Sequence, residues 1–219
     1  MTYKHSILVK ICGLKTKAAV RAAIENGADF IGLVFFEKSP RNIGYEDAYE
    51  LVKYAKNISE NVEVVAVTVA PDDEMLRKLK EIGINWIQLH KIDAVTRLDE
   101  IRAIGFKTML AFGISAKEDL EQIVQFDGIA DYILFDAKAP KGATNEGGFG
   151  ISFDWDILKD LKTKSPWILS GGLTPLNVVR AIAATNADFV DVSSGIESAL
   201  GIKDITKIEN FLKAVKGPK

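Results

Sequence analysis

Apolar runs of strand length alternate with amphipathic stretches of helical period along the whole chain. Runs such as residues 31–36 and 64–67 are nearly continuous in apolar character, as strands are when helices cover one of their sides. The pattern predicts strands near residues 7–12, 29–35, 62–69, 85–90, 106–112, 131–136, 166–170 and 187–193. Helices are predicted near 16–26, 46–57, 72–82, 94–104, 116–126, 154–162, 175–184 and 204–216. Thr16 and Thr174 suit N-caps, Pro175 a first helical position, and Asn26-Gly27, Gly83 and Gly105 helix ends. Strands and helices never segregate into separate blocks, the signature of a parallel sheet. Eight βα units in 219 residues match an α/β fold, a single-domain (β/α)8 TIM barrel over residues 1–219. An open doubly wound sheet gives the same alternation, so the placement of polar residues weighs in the choice. Cys12, His90, Asp136 and the run Ser193-Ser194-Gly195 all fall at the C-terminal ends of predicted strands, where barrel enzymes keep their chemistry.

Composition narrows the partners. The 28 Lys+Arg against 30 Asp+Glu leave a net charge of -2 and a pI near 5.8. No block of like charge is long enough to track a nucleic-acid backbone, so no nucleic-acid partner is expected. The apolar runs fall far short of the roughly 20 residues a membrane-spanning helix needs. Lys10 interrupts the first of them and no small-residue cleavage site follows, so neither a membrane partner nor a signal peptide is expected. Cys12 is the single cysteine, which excludes an internal disulfide and fits a cytoplasmic location. No histidine–carboxylate cluster has zinc spacing, and no metal or cofactor is expected.

The candidate chemistry starts at Cys12, where a strand runs into Gly13. A thiol there is either a small core hydrophobe or an exposed base or nucleophile. The seventh strand leads into Ser170-Gly171-Gly172-Leu173-Thr174-Pro175 and the eighth into Ser193-Ser194-Gly195-Ile196-Glu197. Glycines let backbone N–H groups approach an anion, and in a (β/α)8 barrel these two loops are the frequent phosphate site. The alternative is a pair of ordinary helix-entry turns. Asp136 ends the sixth strand before the longest loop, residues 137–152, whose Gly142, Gly147, Gly148 and Gly150 suit mobility or close approach of a ligand. An aspartate capping a solvated turn would look the same. His90 shares a strand face with Gln88 and Trp86 and either meets a ligand or satisfies a core hydrogen bond. Arg41, in the turn Lys38-Ser39-Pro40-Arg41, is either a carboxylate clamp through two parallel hydrogen bonds or a solvated surface arginine.

Six segments stand in one order: Lys10-Ile11-Cys12-Gly13-Leu14, Gly27-Ala28-Asp29-Phe30-Ile31-Gly32, Lys38-Ser39-Pro40-Arg41, Gln88-Leu89-His90, Leu169-Ser170-Gly171-Gly172-Leu173 and Asp191-Val192-Ser193-Ser194-Gly195-Ile196-Glu197. Gly201-Ile202-Lys203-Asp204 follows before the last helix. Together they resemble the phosphoribosylanthranilate isomerase family of tryptophan biosynthesis, over the chain from Val9 to the final helix. The resemblance implies an Amadori rearrangement of an N-glycosidic aminoaldose to an aminoketose. It gives Cys12 the part of general base and Asp136 that of general acid, and it gives Arg41 the anthranilate carboxylate. The backbone amides of Gly171, Gly172, Ser194 and Gly195 would bind phosphate, and Leu173, Ser193 and His90 complete the implied substrate site. The implied partner is a phosphorylated small molecule, and the protein would be a monomer or homodimer. Lys91 stands where the family commonly has glycine, and Gly147-Gly148-Phe149-Gly150 lacks a small hydroxyl residue common there.

The chemistry stands beside the resemblance. Opening a ribose ring needs a proton on the ring oxygen, which a carboxyl can supply if its pKa is raised toward the working pH. A thiolate can then remove the acidified C2' proton, although an ordinary thiol is only a few per cent ionised near neutrality. Lys10 alternates onto the face of Cys12, about 7 Å along the strand, and could supply positive charge. Closing a barrel would set the first strand beside the eighth, where Asp191 would pair with Lys10 and cancel that help. Other phosphosugar barrels fit less well. An epimerase wants metal-binding histidines and carboxylates, an indole-glycerol-phosphate synthase wants a lysine in a Ser-Pro-Ser context, and a histidine-pathway isomerase has an aspartate where Cys12 stands. A non-catalytic barrel that binds a phosphorylated ligand is the alternative of another class.

Overall fold

The computed structural model describes residues 7–138, 153–159 and 161–217. Eight parallel strands form one sheet: β1 (Leu8–Cys12), β2 (Phe30–Phe35), β3 (Glu63–Val69), β4 (Trp86–His90), β5 (Lys107–Ile114), β6 (Tyr132–Ala137), β7 (Trp167–Leu169) and β8 (Phe189–Val192). The sheet closes on itself because β1 pairs with β8 as well as with β2, and closure excludes the open doubly wound alternative. Outside the barrel lie α1 (Lys17–Glu25), α2 (Tyr45–Ile58), α3 (Asp73–Glu81), α4 (Val95–Ala103), α5 (Val178–Thr185) and α6 (Ile205–Lys216). A short hairpin, β9 (Glu197–Ala199) and β10 (Ile202–Lys203), stands between β8 and α6.

Local chemistry accounts for the element ends. Thr16 caps α1 by accepting from the Ala19 amide at 3.2 Å, and Gly27 and Gly83 follow their helices with φ of +97° and +85°. The predicted fifth helix is instead a 3-10 helix over Lys117–Ile123. Leu120, Ile123 and Phe126 recur every third residue, the period of a 3-10 turn, and Asp119 tightens the entry by accepting from the Ser115 and Ala116 amides. The sixth helix shrinks to a 3-10 turn over Trp155–Leu158. The helix expected from Pro175 begins at Val178, because Asn177 folds back to accept from the Thr174 amide and to donate to the Gly172 carbonyl. The glycines Gly142, Gly147, Gly148 and Gly150, and Phe149, lie outside the described residues.

Alternation of side chains sends every second strand residue into the barrel. At the N-terminal end that interior is a ring of four aromatics, one from the start of each even-numbered strand. Centroid distances are 5.4 Å for Phe30–Trp86, 5.8 Å for Trp86–Tyr132, 5.2 Å for Tyr132–Phe189 and 5.0 Å for Phe189–Phe30. Val65, Met109, Leu134 and Ile168 belong to the same interior cluster. A second, larger core fills the space between the outer faces of the strands and the helices. No helix among the described residues is long and apolar enough to cross a membrane.

Candidate active site

Above the aromatic floor the barrel interior turns polar. Lys10 is fully buried, and its Nζ donates to Asp191 Oδ1 and to Gln88 Oε1, both at 2.8 Å. The pairing of Lys10 with Asp191, expected from barrel closure, is therefore present, on directly paired residues of β1 and β8. Ser170 Oγ donates to Asp191 Oδ2 at 3.1 Å. An ammonium can only donate, so Gln88 must turn its oxygen to Lys10 and its amide nitrogen to His90 Nε2, 3.0 Å away. His90 thus accepts at Nε2, which places its proton on Nδ1 in the neutral ring. Burial works to strip the Lys10 proton, but Asp191 and Cys12 more than offset it and hold the ammonium above its ordinary range.

An open cavity covers this layer at the C-terminal ends of the strands. Nine of the ten residues implicated from sequence line it: Cys12, Arg41, His90, Asp136, Gly171, Gly172, Leu173, Ser193 and Ser194. Gly195 is not one of the lining residues, and a Cβ on it would run into the Leu173 carbonyl. Among the described residues no three metal-ligating side chains converge.

Cys12 is buried apart from its face on the cavity, at 6% exposure, so it is both core and cavity wall. Burial pushes its thiol up, Lys10 pulls it down, Asp191 raises it again, and the net is upward. Asp136 is pushed up to about 7, first by burial and then by the Asp191 charge, against the hydrogen bond from the Ala137 amide. A carboxyl with that value can hold a proton near neutrality and release it, which a solvated turn aspartate cannot.

The glycine loops supply unpaired donors. Among the described residues the backbone N–H groups of Gly171, Gly172, Ser194 and Gly195 have no hydrogen-bond partner. Gly171 takes φ of +86°, and a Cβ on it would lie 2.6 Å from the Ala137 amide nitrogen and 3.2 Å from Asp136 Oδ1. Only glycine fits both this backbone conformation and this close approach to Asp136 and Ala137.

Arg41 is not a solvated surface residue. It is 4% exposed and clamps a carboxylate through two hydrogen bonds, but that carboxylate is Glu197, with Nε to Oε1 at 2.7 Å and Nη2 to Oε2 at 2.9 Å. Lys203 Nζ binds the same carboxylate at 2.8 Å and the Ser193 carbonyl at 2.8 Å. Ser193 Oγ in turn donates to the Cys12 carbonyl at 3.3 Å. Burial works against the Glu197 charge, but Arg41 and Lys203 outweigh it and hold the carboxyl below its ordinary range. Two cations thus share one carboxylate beside the glycine loops, leaving the region net positive. Glu197 and Lys203 lie in two of the segments that carry the family resemblance, but nothing in the sequence alone gives either of them a part in the site. That turn is close-packed, since a Cβ on Gly201 would lie 2.6 Å from the Pro40 carbonyl oxygen.

A closed barrel with a thiol, a near-neutral carboxyl and free loop amides around one mouth defines an acid–base (β/α)8-barrel enzyme for a phosphorylated small molecule. The family model for N-(5'-phosphoribosyl)anthranilate (PRA) isomerase matches residues 9–214, and the chain belongs to that family. It is 46% identical over 211 residues to N-(5'-phosphoribosyl)anthranilate isomerase of Paramagnetospirillum magneticum, covering 95% of this chain and 97% of the relative. The phosphoribosyl anthranilate isomerase of Thermotoga maritima superposes with a TM-score of 0.84 at 32% identity, covering 97% of this chain and all of that one. A phosphoribosyl anthranilate isomerase in complex with reduced 1-(o-carboxyphenylamino)-1-deoxyribulose 5-phosphate superposes with a TM-score of 0.80 at 30% identity, over 97% of this chain and 100% of the other.

Proposed function

We propose that this chain isomerises N-(5'-phosphoribosyl)anthranilate to 1-(2-carboxyphenylamino)-1-deoxyribulose 5-phosphate in tryptophan biosynthesis, with Asp136 as general acid and Cys12 as general base. Asp136 gives its proton to the ribose ring oxygen as the C1'–oxygen bond breaks, and the nitrogen lone pair forms the Schiff base. The Cys12 thiolate takes the C2' proton, and the electron pair moves to neutralise the iminium nitrogen, giving an enolamine. Tautomerisation places a proton on C1' and removes one from the C2' hydroxyl, so substrate and product have the same atoms. Proton return from the thiol to the carboxylate resets the pair.

The observation that carries this reading is the Asp136 carboxyl near pKa 7, in the same cavity as the chain's one thiol. The amides of Gly171, Gly172, Ser194 and Gly195 are suited to the phosphate, with Leu173 and Ser193 shaping the loops that carry them. His90 borders the cavity from β4. Arg41, its orientation set by Glu197, would be the residue that meets the anthranilate carboxylate. The whole chain acts as one catalytic domain in this reading. It works as a monomer or as a homodimer; one relative from Thermotoga maritima is a dimeric phosphoribosylanthranilate isomerase. A cytoplasmic location keeps the thiol reduced.

The test is a spectroscopic turnover assay with freshly made phosphoribosylanthranilate on the wild type, Cys12→Ser and Asp136→Asn. Turnover by the wild type, lost in both variants with product-analogue binding retained, supports the assignment. An inactive wild type overturns it.

A further inference from the structure

Lys10 and Asp191 meet at 2.8 Å with side chains 0% and 6% exposed, so their charges act in a medium with little screening. Around the barrel wall the order runs from Asp136 on β6 through Ser170 beyond β7 and Asp191 on β8 to Lys10 and Cys12 on β1. The ion pair therefore stands between the proposed acid and the proposed base, with a fixed polarity. Lys10 and Cys12 converge over Gly32, where a Cβ would lie 2.9 Å from Cys12 Sγ and 3.3 Å from Lys10 Cε. Asp191 is drawn the other way, its Oδ2 held by Ser170, whose neighbour Gly171 packs against Asp136 Oδ1. Gln88 Oε1 accepts another hydrogen bond from Lys10 Nζ and fixes the ammonium in place.

We propose that the Lys10–Asp191 ion pair is a positioning dipole for the isomerisation, its ammonium turned to the thiol that receives a proton and its carboxylate to the side of the carboxyl that delivers one. The proposal rests on the assignment of Cys12 as base and Asp136 as acid. After burial, Lys10 is the strongest influence on the Cys12 thiol and draws it down, whereas Asp191 is the strongest on Asp136 and pushes it up. The pair also acts crosswise, Asp191 raising Cys12 and Lys10 lowering Asp136, and the other charges facing these groups are Lys203, which lowers Cys12, and Arg41, which lowers Asp136. Hydrogen-bonded to Gln88, His90 ends the network on β4.

The dipole matters because the reactive form carries a protonated carboxyl and an ionised thiol, although the thiol is the weaker acid. Activity then follows a bell in pH whose rising limb reports Asp136 and whose falling limb reports Cys12. Each unit by which the limbs separate lowers the reactive fraction about tenfold. Raising the carboxyl while lowering the thiol narrows that gap.

The experiment is the pH profile of kcat/KM for the wild type, Asp191→Asn, Lys10→Met, and Lys10→Met combined with Asp191→Leu. Titration of the thiol in each protein gives a readout independent of substrate. Removing the carboxylate should move both limbs to lower pH by about 1 unit, and removing the ammonium should move both to higher pH by a similar amount. The double substitution leaves no orphaned charge and keeps the test available if a single variant does not fold. It should push the limbs apart and lower the peak at least about tenfold. Limbs and thiol titration that stay in place while only Tm or peak height falls would reduce the pair to a structural contact and overturn the proposal. Retained turnover in Cys12→Ser or Asp136→Asn would instead remove the acid–base assignment itself, so the two failures are distinguishable.

Discussion

Gly32 on β2 pairs with Cys12 on β1, and the space above its Cα is taken by the Cys12 sulfur, 2.9 Å from where a Cβ would stand. The glycine is there for its absent side chain and not for its backbone. Gly32→Ala should displace the thiol and the Lys10 stem together. The expected result is a fall in kcat of tenfold or more and a loss of about 1–3 kcal/mol from overpacking, read by turnover and denaturant unfolding. Wild-type kcat in this variant would show that thiol placement is not limiting.

Asp136 should make the protein less stable as pH rises. Its carboxyl titrates near 7 when folded and near 3.8 when solvated, so between those values the folded state binds the extra proton. Stability attributable to this group is therefore greatest below pH 4, declines as pH rises, and is lowest above pH 7, with a span of about 4 kcal/mol. Asp136→Asn abolishes the titration. It should be inactive, yet above pH 7 more stable than the wild type by about 2–4 kcal/mol. Urea midpoints of both proteins across pH 4–8 give the difference, and parallel curves would contradict the raised value.

Glu197 should act on substrate affinity without touching the reacting atoms. Glu197→Gln keeps a hydrogen bond to Arg41 but leaves Arg41 and Lys203 as neighbouring buried cations. Losing one partner of such a buried pair costs about 3–5 kcal/mol. We expect KM to rise about tenfold with a smaller change in kcat, because a carboxylate contact made alike in ground and transition states affects binding first. An equal loss in kcat with KM unchanged would place Glu197 in the chemical step instead.

Alkylation by a small thiol reagent should abolish turnover with one group added per chain, since Cys12 is the single cysteine and borders the cavity. Its rate should rise with pH well past neutrality, as the raised thiol requires. Bound product analogue should protect. Modification that leaves turnover intact would remove Cys12 from the proton transfer.

The strands were legible because a parallel barrel buries both of their faces, which writes continuous apolar runs into the chain. The Lys10–Asp191 contact was legible too, from period-two alternation and the adjacency that closure forces on β1 and β8. Helical pattern alone could not separate α from 3-10 at Lys117–Ile123, since the deciding features are a three-residue apolar spacing and the bonds Asp119 makes to Ser115 and Ala116. For Arg41 the local sequence left clamp and solvated surface residue both open, and the carboxylate it holds lies 156 residues away on the hairpin after β8, a separation no local pattern spans. The unpaired amides of the glycine loops were foreseeable from composition, whereas the close approach of Gly195 to the Leu173 carbonyl depends on how two loops stack.

The ring of Phe30, Trp86, Tyr132 and Phe189 seals one end of the barrel. Among the described residues, whatever reaches Cys12 and Asp136 enters at the opposite end and must leave by the way it came. Substrate and product therefore queue for the same opening, so accumulated product should slow the enzyme by occupying the entrance, a competition that more substrate relieves.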